Sequence, residues 1–187
     1  MRLFITPRHT LLFIGLGSAA ALSAAFIAQY AFHFAPCHLC LLQRYPHALV
    51  AVIGILGALS CRTRCGISRN REETPQQVRG DNIFILRLSL LACCALLLIG
   101  ASIAVYHTGV EQRWFPGPGG CTSQSTGRET LEELRAQIMN APLVTCDQPL
   151  GDVFGISLPM WSAAIYTFLT LLAFYGVYCS YRPNRKP

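Results

Sequence analysis

The sequence predicts an all-α membrane protein: a four-transmembrane-helix bundle with a long extracytoplasmic loop carrying a short amphipathic helix. Three observations predict it. Of the 187 residues, 52% are hydrophobic and 13% charged, against about 25% charged in ordinary soluble domains. The apolar residues come in four blocks, each long enough for the roughly 20-residue helix that crosses a bilayer. The arginines fall between and beside those blocks in a pattern that sets sidedness. Backbone in lipid must bond to itself, so only helices or closed barrels cross. Barrel strands would be shorter and alternating. The chain is expected to be one membrane domain, residues 1–187.

The first helix is expected over about 10–34, after Arg2 and Arg8. A secretory signal peptide competes with this reading, and Ser18 to Ala25 offers small residues for cleavage. The apolar run is longer than the 7–15 residues of a signal core. The second helix is expected over about 41–60. Pro46 disfavours helix at its start, yet a helix beginning at Pro46 would be too short to cross. The polar loop 61–82 carries Arg62, Arg64, Arg69, Arg71 and Arg79. The third helix is expected over about 83–106 and the fourth over 156–179. Between them runs a Gly- and Pro-rich loop, 107–155. Within it, Thr126 and Glu129 fit a capping box for a helix over 129–139. Leu131, Leu134, Ile138 and Met139 share one face of it, suited to a membrane surface or to packing on the loop.

The N-terminus, the 61–82 loop and the C-terminus hold ten of the fifteen Lys/Arg residues. The short loop 35–40 holds none. The positive-inside rule therefore puts both termini and the middle loop in the cytoplasm. The net charge of +6 follows from this placement and does not point to nucleic acid.

Topology sorts the nine cysteines. Cys37, Cys40, Cys121 and Cys146 fall outside the cytoplasm, where an even number suggests disulfides. Cys61, Cys65, Cys93, Cys94 and Cys179 fall inside or within helices, where a reduced thiol or small apolar side chain is the default. A metal site at Cys61 and Cys65 lacks accompanying ligands.

Cys37-His-Leu-Cys40 admits three readings: a structural disulfide, a metal site with His33, His38 and His47 as further ligands, or a redox pair. Leu41 excludes c-type haem attachment, which needs histidine there. A helix N-terminus favours the redox reading, because its dipole and free N–H groups stabilise thiolate. No metal is assigned. Arg44 lies four residues after Cys40 and seven after Cys37, on one helical face. There it can stabilise thiolate and donate to a ligand carbonyl on which negative charge grows. Simple snorkelling to the headgroups is the competing reading. A disulfide between Cys121 and Cys146 would either brace the long loop or accept attack by an incoming thiolate.

With these residues in place, the chain resembles the DsbB (disulfide bond formation protein B) family. The resemblance is carried by Cys37-His-Leu-Cys40-Leu-Leu-Gln-Arg44, the outer pair Cys121 and Cys146, Tyr106-His107, and Gly155-Ile-Ser-Leu-Pro-Met-Trp161. It covers nearly the whole chain. It implies a bacterial inner-membrane protein dithiol:quinone oxidoreductase that reoxidises a periplasmic thioredoxin-like thiol oxidase of the DsbA type. It implies that Cys121–Cys146 meets the partner, with the mixed disulfide at Cys121. Electrons then pass to Cys37–Cys40, with Cys40 facing a ubiquinone or menaquinone beside Arg44 and His107. The sequence departs from the family pattern at Glu111, where an amide is usual, and at Pro46. Two other classes remain. A non-catalytic four-helix protein would keep the same disulfides as braces. A quinone reductase of the vitamin K epoxide type would carry its redox pair late in the chain, where only Cys179 stands.

Overall fold

The computed structural model describes residues 7–67, 75–118, 132, 146, 152–153 and 155–181. Cys121 and nearly all of the expected 129–139 helix lie outside them, as do the side chains of Cys61 and Cys65. The described residues form four long helices: α1 (Pro7–Tyr30), α2 (His38–Ile67), α3 (Pro75–Glu111) and α4 (Leu158–Tyr181). A two-residue antiparallel ribbon, β1 (Asp152–Val153) and β2 (Ile156–Ser157), precedes α4. Gly155 turns that ribbon at φ +75°, in the left-handed region open to glycine. By length and composition, Pro7–Tyr30, His38–Ser60, Ile83–Glu111 and Leu158–Tyr181 can each cross a membrane. The chain is a four-helix, multi-pass membrane bundle.

The helices differ from the apolar blocks at their ends, for local reasons. On the arginine-rich side, α2 continues to Ile67 and α3 begins at Pro75. Hydropathy falls at the membrane edge, but Arg and Gln are good helix formers, so the hydrogen-bonded ladder need not stop there. Pro75 fits the first helical turn, where its missing N–H costs nothing. On the other side, α3 runs past Tyr106 to Glu111 and ends in a Schellman motif. Trp114 N–H donates to Gly109 O at 2.8 Å and Arg113 N–H to Val110 O at 3.0 Å. Arg113 takes the left-handed conformation this cap requires, with φ 61°. His107 therefore belongs to the helix and not to the loop that follows it. Likewise α4 starts two residues later than its apolar block, because Ile156 and Ser157 pair with β1.

The helices pack in a ring, with α1 against α2, α2 against α3, α3 against α4 and α4 against α1. Leu11, Ile14, Val50, Leu90, Leu97 and Tyr166 fill its axis. α1 and α2 touch backbone to backbone: a Cβ on Gly54 would come within 2.7 Å of Gly15 Cα. Phe13, Leu91, Phe168 and Leu171 point outward and are exposed. So broad an apolar surface suits lipid and not water.

Pro46 lies inside α2. Proline there disturbs the backbone ladder. The Tyr166 hydroxyl enters at this point, donating to Gln43 O at 2.6 Å and bonding to the His47 backbone. Its ring stacks on that of His47, with centroids 4.0 Å apart. A side chain from α4 thus fastens α2 where its own ladder is weakest.

Candidate functional site

Cys37 occupies the N-cap of α2. Its carbonyl accepts from Leu41 N–H at 3.1 Å, and its sulfur accepts from Cys40 N–H at 3.4 Å. A thiol sulfur thus fills the role a serine or aspartate oxygen usually has. This is why α2 begins at His38 and Cys40 falls in its first turn. The three-residue spacing folds both sulfurs onto one side, 3.2 Å apart, with Cys37 donating to Cys40. Cys37 is buried and Cys40 half-buried.

His107 reaches the pair from α3. Its Nε2 lies 3.4 Å from Cys37 Sγ, and its Nδ1 lies 3.2 Å from Gln43 Nε2. Gln43 Oε1 in turn accepts from the Ser162 hydroxyl of α4 at 3.0 Å. A buried polar chain therefore runs from Cys37 through His107 and Gln43 to Ser162. The Cys40 sulfur, then burial, push the Cys37 thiol up to about 12, against the opposing pull of His107. Cys37 therefore keeps its proton well above neutrality.

Arg44 lies on the other side of Cys40. One guanidinium nitrogen donates to Gln29 Oε1 of α1 at 2.6 Å, and the group lies over the Phe26 ring, 5.0 Å from its centroid. Its Nε is buried and has no hydrogen-bond partner among the described residues. Buried donors are nearly always satisfied, which sets this one apart, and Arg44 also lines a cavity.

That cavity has a volume of about 460 Å³ and lies between α1, α2 and the start of α4. Ala21, Ala25 and Ala28 of α1 make the room. Cys40, Gln43, Arg44 and Trp161 are on its wall. A mostly apolar hollow with a few convergent polar groups is the usual form of a small-molecule site. His107 is not on this wall. It stands behind Cys37, one shell from the cavity, and Gln43 touches both.

Cys146 is buried and joins Cys37, Cys40, Leu39 and Val110 in one cluster at this end of the bundle. The long loop therefore brings one of its two cysteines to the helical pair. Glu111, the departure from the family pattern, accepts a hydrogen bond from Ser157 at 2.7 Å, which ties the end of α3 to the start of α4. Cys93 and Cys94 are packed in the bundle core, away from this end. Among the described residues, Cys37, Cys40 and His107 form the group whose donor atoms approach to within 4.8 Å of one another, and His33, His38 and His47 are not in it.

Sequence reasoning missed Gln29, Gln43, Phe26, Ser162 and Tyr166. Gln43 stood inside the motif already quoted, and an amide buried in an apolar helix was the signal available. The others come from α1 and α4 at positions that no spacing rule connects to Cys40.

The comparisons with known proteins point to one family. The family model for disulfide bond formation protein DsbB matches residues 7–176. An uncharacterized protein of Rickettsia prowazekii is 25% identical over 90% of this chain and 86% of its own length. Disulfide bond formation protein B 1 of Pseudomonas fluorescens Pf-5 is 26% identical over 91% of this chain and 89% of its own. Disulfide bond formation protein B of Pseudomonas syringae pv. tomato is 24% identical, over 96% and 93%. No solved structure matches. With the matched region running from the start of α1 almost to the end of α4, the chain belongs to the DsbB family, whose members act as oxidoreductases in disulfide bond formation.

Proposed function

We propose that the protein is a dithiol:quinone oxidoreductase of a bacterial inner membrane, with both termini cytoplasmic. It reoxidises a periplasmic thioredoxin-like protein of the DsbA type and passes the electrons to ubiquinone or menaquinone. The observation that carries this is the wall of the cavity. Cys40, one of a close cysteine pair, and Arg44 share it.

The chemistry needs two phases joined by two disulfides. The partner is soluble, so the long loop meets it through Cys121–Cys146. Its thiolate attacks one sulfur, Cys121, and its second thiol releases the mixed disulfide, leaving Cys121 and Cys146 reduced. Cys146, buried beside the helical pair, then attacks the Cys37–Cys40 disulfide. Cys121 closes on Cys146, and the dithiol now stands at Cys37 and Cys40. Cys40 faces the cavity and Cys37 holds its proton against His107. Two electrons and two protons leave the pair for the quinone, the S–S bond re-forms and a quinol departs. Arg44 favours this step by donating to the oxygen on which negative charge grows. Gln29 and Phe26 hold the guanidinium in place, and α1, α2 and α4 keep water from the quinone ring.

The test is quinone reduction by the purified protein with a reduced thioredoxin-like dithiol. Cys37→Ala and Cys121→Ala are each expected to abolish it. Full activity in either variant would overturn the proposal in favour of disulfides that only brace the loops.

A further inference from the structure

We infer that Cys37, Cys40 and His107, with the pair reduced, form a binding site for one thiophilic d10 cation of the Zn2+ or Cu+ class, and that such a cation holds the pair reduced. Three donor atoms of the right softness converge here. Cys37 Sγ lies 3.2 Å from Cys40 Sγ and 3.4 Å from His107 Nε2, and all three atoms lie within 4.8 Å of one another. A tetrahedral centre with Zn–S near 2.3 Å and Zn–N near 2.0–2.1 Å sets its donors about 3.4–3.8 Å apart. The sulfurs need open by only about half an ångström to reach that spacing. Thiolate and imidazole are also the donors that select these cations over hard ones such as Mg2+.

The surroundings fit as well. Cys37 and His107 are each 1% exposed, so little water competes. Ligating histidines almost always give their other ring N–H to an outer partner, which fixes the tautomer. Gln43 stands at that position, 3.2 Å from His107 Nδ1. With its amide turned over, Gln43 Oε1 accepts the Nδ1–H and its NH2 donates to the Ser162 hydroxyl, which can accept as readily as donate. The Nε2 lone pair is then free for the metal. Three protein donors leave the fourth tetrahedral position to water or another small ligand.

Binding is a ligand exchange without change of oxidation state. Two S–metal bonds and one N–metal bond form, metal-bound water leaves, and the thiol protons go to solvent. The cation takes the place of the proton that Cys37 shares with Cys40. A disulfide has no thiolate to offer, so only the reduced state binds. Binding itself depends on no partner or quinone. The inhibition that follows from it rests on the oxidoreductase reading, because a dithiol held by metal cannot be oxidised to a disulfide.

The test uses the full-length protein in detergent without oxygen, with Zn2+ in competition against a chromophoric chelator. Reduced wild type is expected to bind one more Zn2+ per chain than reduced Cys37→Ala and one more than oxidised wild type. The oxidised protein has the native sequence, so a folding defect in the variant cannot imitate the result. His107→Ala is expected to weaken that extra site at least about tenfold, and Co2+ in its place to give a thiolate-to-metal absorption band. No extra Zn2+ in the reduced wild type would overturn the site, and so would an extra Zn2+ indifferent to His107→Ala. Zn2+ bound at this site while dithiol-driven quinone reduction continues undiminished would overturn its inhibitory role. A protein that binds Zn2+ here but never reduces quinone would keep the site and refute the oxidoreductase.

Discussion

Arg44 and Arg87 both lie within apolar helices, one toward each end of the bundle, and they are held differently. At the arginine-rich end, Arg87 of α3 donates to the Ser180 hydroxyl at 3.1 Å and to the Ser180 carbonyl at 2.7 Å. It also lies over the Tyr181 ring, 4.5 Å from the centroid. It satisfies a carbonyl at the end of α4, where a helix leaves such groups unpaired. At the other end, Arg44 has an aromatic ring beneath it as well, but its Nε is left without a partner among the described residues, and Arg44 lines a cavity together with Cys40. The same residue type closes the structure at one end and leaves a donor open at the other. Burial of an arginine in a membrane helix therefore does not mark a site by itself. The unpaired donor next to reactive chemistry does.

The cysteines repeat the contrast. Cys93 and Cys94 are adjacent on α3, so helical geometry turns them to different directions within the core. Cys37 and Cys40, three apart at a helix start, face one another and meet His107.

The comparison can be broken most sharply at these pairs. Cys40→Ala is expected to remove all dithiol-driven quinone reduction, whereas Cys93→Ala leaves turnover unchanged. Comparable losses in the two variants would erase the distinction. Next, Arg44→Ala is expected to slow quinone reduction by about 100-fold, the usual cost of losing one donor to a developing negative charge. Arg87→Ala is expected to leave turnover within about twofold and instead to lower stability by roughly 1.5–3 kcal/mol, read from thermal unfolding in detergent. If Arg87→Ala were the slower enzyme, the open-donor account would fail.

A smaller effect concerns protons. Cys37 is pushed up to about 12, first by the Cys40 sulfur and then by burial. A raised thiol pKa means less thiolate at a given pH, so alkylation of Cys37 should still be climbing about tenfold per pH unit between pH 8 and pH 10. Cys40→Ala removes the largest cause, so Cys37 alkylation at pH 8, followed by mass spectrometry of its peptide, should speed up by about tenfold or more. A rate already level at pH 9 in the wild type would contradict this assignment.

Much of this architecture was legible because the membrane narrows the choices. Four apolar blocks have to be helices, and the arginine bias proposes a sidedness for them. The Cys37–Cys40–Arg44 face was legible because it depends on spacing within one helix. The position of His107 was not, since whether α3 stops at Tyr106 or continues to Glu111 is decided by the Arg113 cap. Nor was the Gln43 network. It joins residues 64 and 119 positions apart, and the rotation of three helices about their axes sets it. Pro46 signalled a weak point in α2, but only the structure supplies the Tyr166 hydroxyl that holds it.

The central claim is that Cys40 and Arg44 share a quinone site. The most direct measurement is an anaerobic single turnover of the fully reduced protein with a short-chain quinone, following quinone absorbance and the thiols lost at Cys37 and Cys40. The account predicts one quinone consumed for each Cys37–Cys40 pair oxidised, none in Cys40→Ala, and a rate about 100-fold lower in Arg44→Ala. Quinone loss at the wild-type rate in Arg44→Ala, or without oxidation of Cys37 and Cys40, would contradict it.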